Sequence, residues 1–94
     1  MIRLEELQRD GGKWLLRGLY LNPAWIIRIQ EDYNVTSSLR CNELRDKFPE
    51  GLDSRHVISK VTYACGSSTS SALVVGSPEI ITKKLTGQKQ ILRD

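Results

Sequence analysis

Residues 56–85, HVISKVTYACGSSTSSALVVGSPEIITKKL, decide the fold. They read as strand, polar turn, strand, cap and helix. Val57, Val61 and Tyr63 fall on one face of a two-residue period, with Ser59 and Cys65 in the same register. Ile58, Lys60, Thr62 and Ala64 fall on the other. β-branched and aromatic residues suit such a pleated, half-buried surface. Gly66 opens a run of small polar residues to Ser71, which builds no core and predicts a turn or exposed loop. Ala72 to Val75 is a continuous apolar run, short enough for a strand buried on both faces. Gly76 interrupts it. Ser77 and Pro78 then form an N-cap followed by proline in the first helical position, because the hydroxyl accepts from an orphan N–H and proline has none to leave unpaired. Glu79 near the start and Lys83 and Lys84 near the end suit the helix dipole. Ile81 and Leu85 share a helix face, and Gly87 predicts the stop.

Working outward, the N-terminal residues Met1–Arg9 carry Ile2, Leu4 and Leu7. A strand and a short helix both fit, and the strand is preferred. Asp10-Gly11-Gly12 is a hairpin signal of the type I′ kind, since glycine reaches positive φ without a steric cost. Lys13–Leu21, KWLLRGLYL, reads as the second strand, with Gly18 marking a bulge or a close backbone approach. Asn22-Pro23 breaks it. Ala24–Gln30 reads as a third strand, with Trp25, Ile27 and Ile29 on one face and Ala24, Ile26, Arg28 and Gln30 on the other. Glu31–Asn34 leads out to solvent. Thr36–Ser54 reads as a loop, with a short helix from Ser37 or Ser38 to Lys47 as the alternative. The expected fold is a single α+β domain over residues 1–94, mostly β. It has a small antiparallel sheet of about five strands and a short C-terminal helix.

Composition narrows the classes. The chain has 94 residues, 39% of them hydrophobic, which is enough for one core and too much for a disordered segment. No apolar run approaches the roughly 20 residues of a membrane span, and no signal-peptide pattern opens the chain, so a cytoplasmic location without membrane contact is expected. Two cysteines and one histidine predict neither a disulfide framework nor a metal site. Cys41 and Cys65 are expected to act as small buried or half-buried hydrophobes. A net charge of +3, scattered along the chain, permits an anionic partner without requiring one.

Leu21-Asn22-Pro23 followed by Ile26 and Ile29 resembles the opening of the small FlbD-type flagellar and swarming proteins. Val61–Gly66, Val74-Val75, and Ser77-Pro78-Glu79 with Ile80 or Ile81 are similar to their later strand, turn, strand and helix in order and spacing. The resemblance covers Leu19–Leu85 and implies a small fold of that kind. Thr36–Ser54 then reads as an insertion, and the first hairpin as longer. A second likeness is to RemA-type regulators, small oligomeric DNA-binding proteins with an apolar strand near the start and a proline-led C-terminal helix. Their arginine-rich motif is not in this chain.

The motifs of phosphate loops, dinucleotide folds, zinc proteases and redox CxxC sites are missing from the sequence, so no catalytic residue, cofactor or metal is expected. Asp53-Ser54-Arg55-His56 sets an acid, a hydroxyl and an imidazole side by side. Neighbours in a strand point to opposite faces and do not converge, and His56 reads as a surface residue at a strand entry. Trp14 and Trp25 read as core. The candidate ligand-binding set is Arg28, Tyr33, Arg40, Arg55, Lys60 and Tyr63, with Ser67 and Ser68 in the serine run. Arginine forks phosphate, tyrosine stacks on bases, and a polar turn cradles anions. The dense apolar residues between Trp14 and Ile27 exceed what one short helix covers, so a homo-oligomer is expected. The functional expectation is a non-enzymatic, oligomeric binding module for a small anionic ligand, such as a nucleotide or cyclic nucleotide signal. A phage-type sequestering protein is one instance. The alternatives are a nucleic-acid-binding regulator of the RemA kind and a protein-binding motility or structural accessory of the FlbD kind.

Overall fold

Two glycines turn the two long hairpins. In the computed structural model Gly11 and Gly66 take φ of +64° and +65°. Each opens a two-residue turn, between β1 (Ile2–Asp10) and β2 (Lys13–Leu21), and between β4 (Ile58–Cys65) and β5 (Ser68–Val75). Neither Gly12 nor Ser67 has positive φ, so both turns follow the type II′ pattern, which needs glycine only at its first central position. The type I′ expectation for Asp10–Gly12 is corrected to that extent. The structure describes residues 1–41, 47–52 and 54–93, with side chains as far as residue 86.

The remaining elements are a 3₁₀ turn (Pro23–Trp25), β3 (Ile26–Glu31), α1 (Tyr33–Arg40) and α2 (Pro78–Arg93). The five strands form one antiparallel sheet in the order β2-β1-β5-β4-β3. β5 is central, as its unbroken apolar run requires. The expected mostly-β α+β architecture with a C-terminal helix is the one observed.

The polar run belongs partly to a strand. Only Gly66 and Ser67 form the turn, and Ser68–Ser71 pair in register with Cys65–Thr62 of β4. Ladder hydrogen bonds and an exposed face hold these small polar residues in a strand that their own propensity would not choose.

One face of the sheet is apolar along most of its length. Ile2, Leu4, Leu21, Val61, Ala72 and Val74 are buried there under Ile81 of α2, with Leu19, Ile26, Ile29, Tyr63 and Leu85 packed around them. Full burial of a side chain such as Val74 or Ile81 stabilises by about 1.5–3 kcal/mol. Ser77 caps α2 as expected, its Oγ accepting from the Ile80 N–H at 3.3 Å. The helix does not stop at Gly87 but runs on to Arg93. An interior glycine costs roughly 1 kcal/mol against alanine, which weakens a helix without ending it.

The other face is covered at one end. Leu7 and Ile58 are buried there beneath Leu39 of α1 and Phe48, with Trp14, Leu16, Val35, Leu52, Leu73 and Val75 around them. The Trp14 ring stacks on Phe48, centroids 5.8 Å apart. α1 begins before the expected Ser37 or Ser38, because Asp32 is the better cap: its Oδ1 accepts from the Val35 N–H at 3.0 Å. The expected continuation to Lys47 falls on residues 42–46, outside the described residues. Buried Thr36 ties α1 to the sheet. Its Oγ1 accepts from the Ile58 N–H at 3.0 Å and donates to the Ile58 carbonyl at 3.3 Å.

β3 departs from simple alternation. Pro23–Trp25 is a 3₁₀ turn rather than strand, capped by the Asn22 side chain, which accepts from the Ala24 N–H at 3.0 Å. The ladder with β4 then shifts register between Ile26 and Arg28. That irregularity puts Ile26 and Ile29 against the same core, and leaves Ile27 61% and Trp25 52% exposed. The expectation that Trp25 is core is therefore wrong, and Trp14 alone is half-buried. Gly18 carries no register break. The close approach there is the Arg3 guanidinium, 3.0 Å from where a Cβ would stand.

Candidate functional site

The strand period that buries Val61 also fixes what lies opposite it. On β4, Lys60 and Thr62 share a face with Ile58, but lie beyond the apolar end that α1 covers. Lys60 is paired with Leu73, and Thr62 with Ser71. On β3, Arg28 faces Thr62 and Gln30 faces Lys60. Arg28 and Lys60 are thus diagonal cross-strand neighbours, roughly 7–8 Å apart at the backbone. Both are exposed. Lys60 and Thr62 border a shallow polar hollow of about 490 Å³ with Thr69, Ser70 and Ser71.

The same half-face continues across the sheet. Two positions beyond Leu7, Arg9 lies over the Trp14 ring, its guanidinium carbon 5.4 Å from the centroid. Arg9 and Trp14 line a smaller cleft with Ser38, Lys47 and Phe48. Among the strand residues of this half none is acidic: the sequence reads Arg9, Arg28, Gln30, Lys60, Thr62, Thr69 and Ser71. The acid of β1 on this face, Glu5, is further along and is paired with Arg3. That contact, with help from Tyr20, raises the Arg3 pKa above its ordinary value.

The candidate residues from the sequence separate into three groups. Arg28 and Lys60 come together on the open half-face. Tyr63 lies on the opposite face, half-buried against the α2-covered core, while Ser67 and Ser68 sit at the hairpin tip beyond it. The Ser68 hydroxyl donates to the Cys65 carbonyl at 3.2 Å. Tyr33 and Arg40 stand at the two ends of α1, both exposed, and the Arg40 Nε donates to the Ser54 carbonyl at 3.3 Å. Arg55 is in the turn after Ser54. Thr62, Thr69 and Ser71 were not among the candidates; the alternation that placed Lys60 reaches Thr62, whereas Thr69 and Ser71 lie in the run read as a turn.

Of the Asp53–His56 group, Asp53 lies outside the described residues. Cys41 is half-buried, as expected, whereas Cys65 is exposed, and both are free thiols. Among the described residues no three of His, Cys, Asp and Glu gather as metal ligands, and no helix is long and apolar enough to cross a membrane.

A second feature lies beside the 3₁₀ link that joins β2 to β3. Leu21 at the end of β2, Trp25, and Tyr63 to Gly66 of the β4–β5 hairpin enclose a largely apolar cavity of about 390 Å³. Comparison with protein-family models, with curated proteins and with solved structures finds no match for this chain.

Proposed function

We propose that the chain is a non-enzymatic binding module for a phosphate-bearing ligand, a nucleotide or cyclic nucleotide signal, held on the open half-face of the sheet. The observation that carries this reading is the diagonal Arg28–Lys60 pair beside Thr62, Thr69 and Ser71, on strand positions without an acid. Guanidinium and ammonium groups at that spacing can share one phosphate, and the hydroxyls supply neutral donors to its remaining oxygens. The sheet fixes their backbone positions, so the order lost on binding is confined to the two long side chains. The set holds no carboxylate or imidazole to activate its hydroxyls, so the module acts by holding its ligand, which suits a sequestering or regulatory role.

Self-association is part of this reading. Among the described residues β2 and β3 each leave an edge unpaired, and Tyr20 and Ile27 are exposed, Tyr20 by 62%. Unpaired edges and exposed large apolar groups are what subunit contacts cover.

A nucleic-acid strand is the second reading. It is favoured by the shallowness of the hollow and by the extension of the basic strip to Arg9 and Lys47. Calorimetric titration with cyclic and linear nucleotides and with a short oligonucleotide, at two salt concentrations, separates the readings. A nucleotide pocket saturates at a fixed stoichiometry. A strand loses affinity steeply with salt as counterions are released. Binding of neither sinks both readings and leaves a protein partner, as in the FlbD resemblance. Replacement of Arg28 and Lys60 together by alanine is expected to weaken binding tenfold or more, and unchanged affinity would remove the pair from the site.

A further inference from the structure

The cavity beside the 3₁₀ link is built differently from the basic half-face and calls for a different ligand. Its position follows from the β2–β3 link. The Asn22 carbonyl accepts from the Trp25 N–H at 2.9 Å and the Asn22 side chain accepts from the Ala24 N–H, which fixes the 3₁₀ turn. Trp25 is thereby held beside the cavity with half its surface open. Tyr63 lines another wall and is itself packed on the α2-covered core, which makes it a fixed surface. Leu21, Trp25, Tyr63, Ala64, Cys65 and Gly66 line the cavity, with no lysine, arginine, aspartate or glutamate among them.

We propose that this cavity is a second ligand site, for an uncharged planar aromatic group of one or two fused rings. The volume lies within the range of small-ligand pockets, roughly 300–1,000 Å³. An uncharged group is favoured over an ion, which finds no charged lining side chain to offset the hydration it gives up. Two aromatic side chains favour a ring, which gains stacking or edge-to-face contact beyond simple burial. Tyr63 lies on the face opposite Thr62 and Lys60, Ala64 shares their face at the hairpin end, and no residue lines both hollows, so ring binding here and anion binding there are separable events.

The test uses the full-length protein, uniformly labelled with nitrogen-15 and titrated with indole and with adenosine, both uncharged. The two tryptophans give two indole N–H signals, assigned with a Trp25→Phe variant. The expected result is a saturable shift of the Trp25 signal and of the Tyr63–Gly66 amides, with Arg28 and Lys60 unmoved. Trp25→Ala is expected to weaken the better probe at least tenfold while the melting temperature stays within a few degrees. Alkylation of Cys65 with N-ethylmaleimide, in a Cys41→Ser background that binds normally, is expected to abolish it. Shifts that do not saturate, that centre elsewhere, or that survive the Cys65 block would overturn the proposal. Inorganic pyrophosphate in the same samples reports on Arg28 and Lys60 alone, so failure of one site is distinguishable from failure of the other.

Discussion

α2 and α1 cover the two faces of one sheet unequally. Under α2, apolar side chains from all five strands meet Ile81 and Leu85. Under α1, the apolar strand residues are confined to one end, at Leu7, Trp14, Leu16, Ile58, Leu73 and Val75, and the helix is half as long. The covering stops where β4 changes from Ile58 to Lys60 and Thr62, and where β5 changes from Leu73 to Ser71 and Thr69. A half-face that no described residue covers is therefore written into the strands themselves, and the proposed anion site occupies it.

The comparison can be broken or sharpened by substitution. Val74 stands near the C-terminal end of the central strand, on the α2-covered face, with no exposed surface. Val74→Asp buries a carboxylate without a partner and is expected to unfold the protein, a loss of about 4 kcal/mol or more. A cooperative melt near that of the parent would contradict the core assignment. Ile81→Ala and Leu39→Ala each empty a buried site beneath one helix, at an expected cost of about 2–5 kcal/mol by denaturant titration. If both faces support the fold, neither is silent; a negligible loss for Leu39→Ala would make α1 an ornament on a sheet stabilised from one side.

Smaller effects are expected where a single polar contact or backbone angle is at stake. Thr36→Val removes the hydroxyl that accepts from the Ile58 N–H, leaving that donor buried and unpaired. A loss of about 1–3 kcal/mol should follow in chemical denaturation. Gly76 has φ +128°, and its carbonyl accepts from the Ser59 hydroxyl at 2.7 Å. Gly76→Ala is expected to cost about 1–3 kcal/mol through backbone strain, and thermal melts of that variant measure it. Smallest of all for stability is the pair Arg28→Ala and Lys60→Ala, expected to change stability by less than about 0.5 kcal/mol. A large loss for either would assign it to the fold rather than to a ligand.

The α2-covered face was legible in the sequence because two periods repeat there without interruption: Ser59, Val61 and Tyr63 on a strand, Ile81 and Leu85 on a helix. The errors arose where a short-range rule met a tertiary one. Strict alternation from Trp25 to Ile29 put Trp25 and Ile27 inside, but the 3₁₀ turn and the shifted register turn them out. Ser68–Ser71 have turn chemistry and nevertheless complete a ladder, because β4 already offers them partners. Of the candidate site, Arg28 and Lys60 were readable as basic residues on adjacent strands. Their diagonal register was not, since the register depends on that same irregularity. Tyr33 and Arg40 shared the right chemistry, but α1 carries them to its two ends.

The strand order has a consequence for how the molecule forms. β1 pairs with β2 through a two-residue turn, yet its other neighbour is β5, joined through Glu6–Val74 and Leu7–Leu73. These partners are far apart in sequence, whereas the other three strand pairings join consecutive strands. The β1–β2 hairpin and the β3–β4–β5 meander can each assemble from local contacts, and their junction comes last because it closes the longest loop. On a ribosome, the inner edge of β1 stays exposed until β5 emerges. During that interval Leu4 and Leu7 lack their covering, and it is then that the chain is most exposed to pairing with the wrong strand.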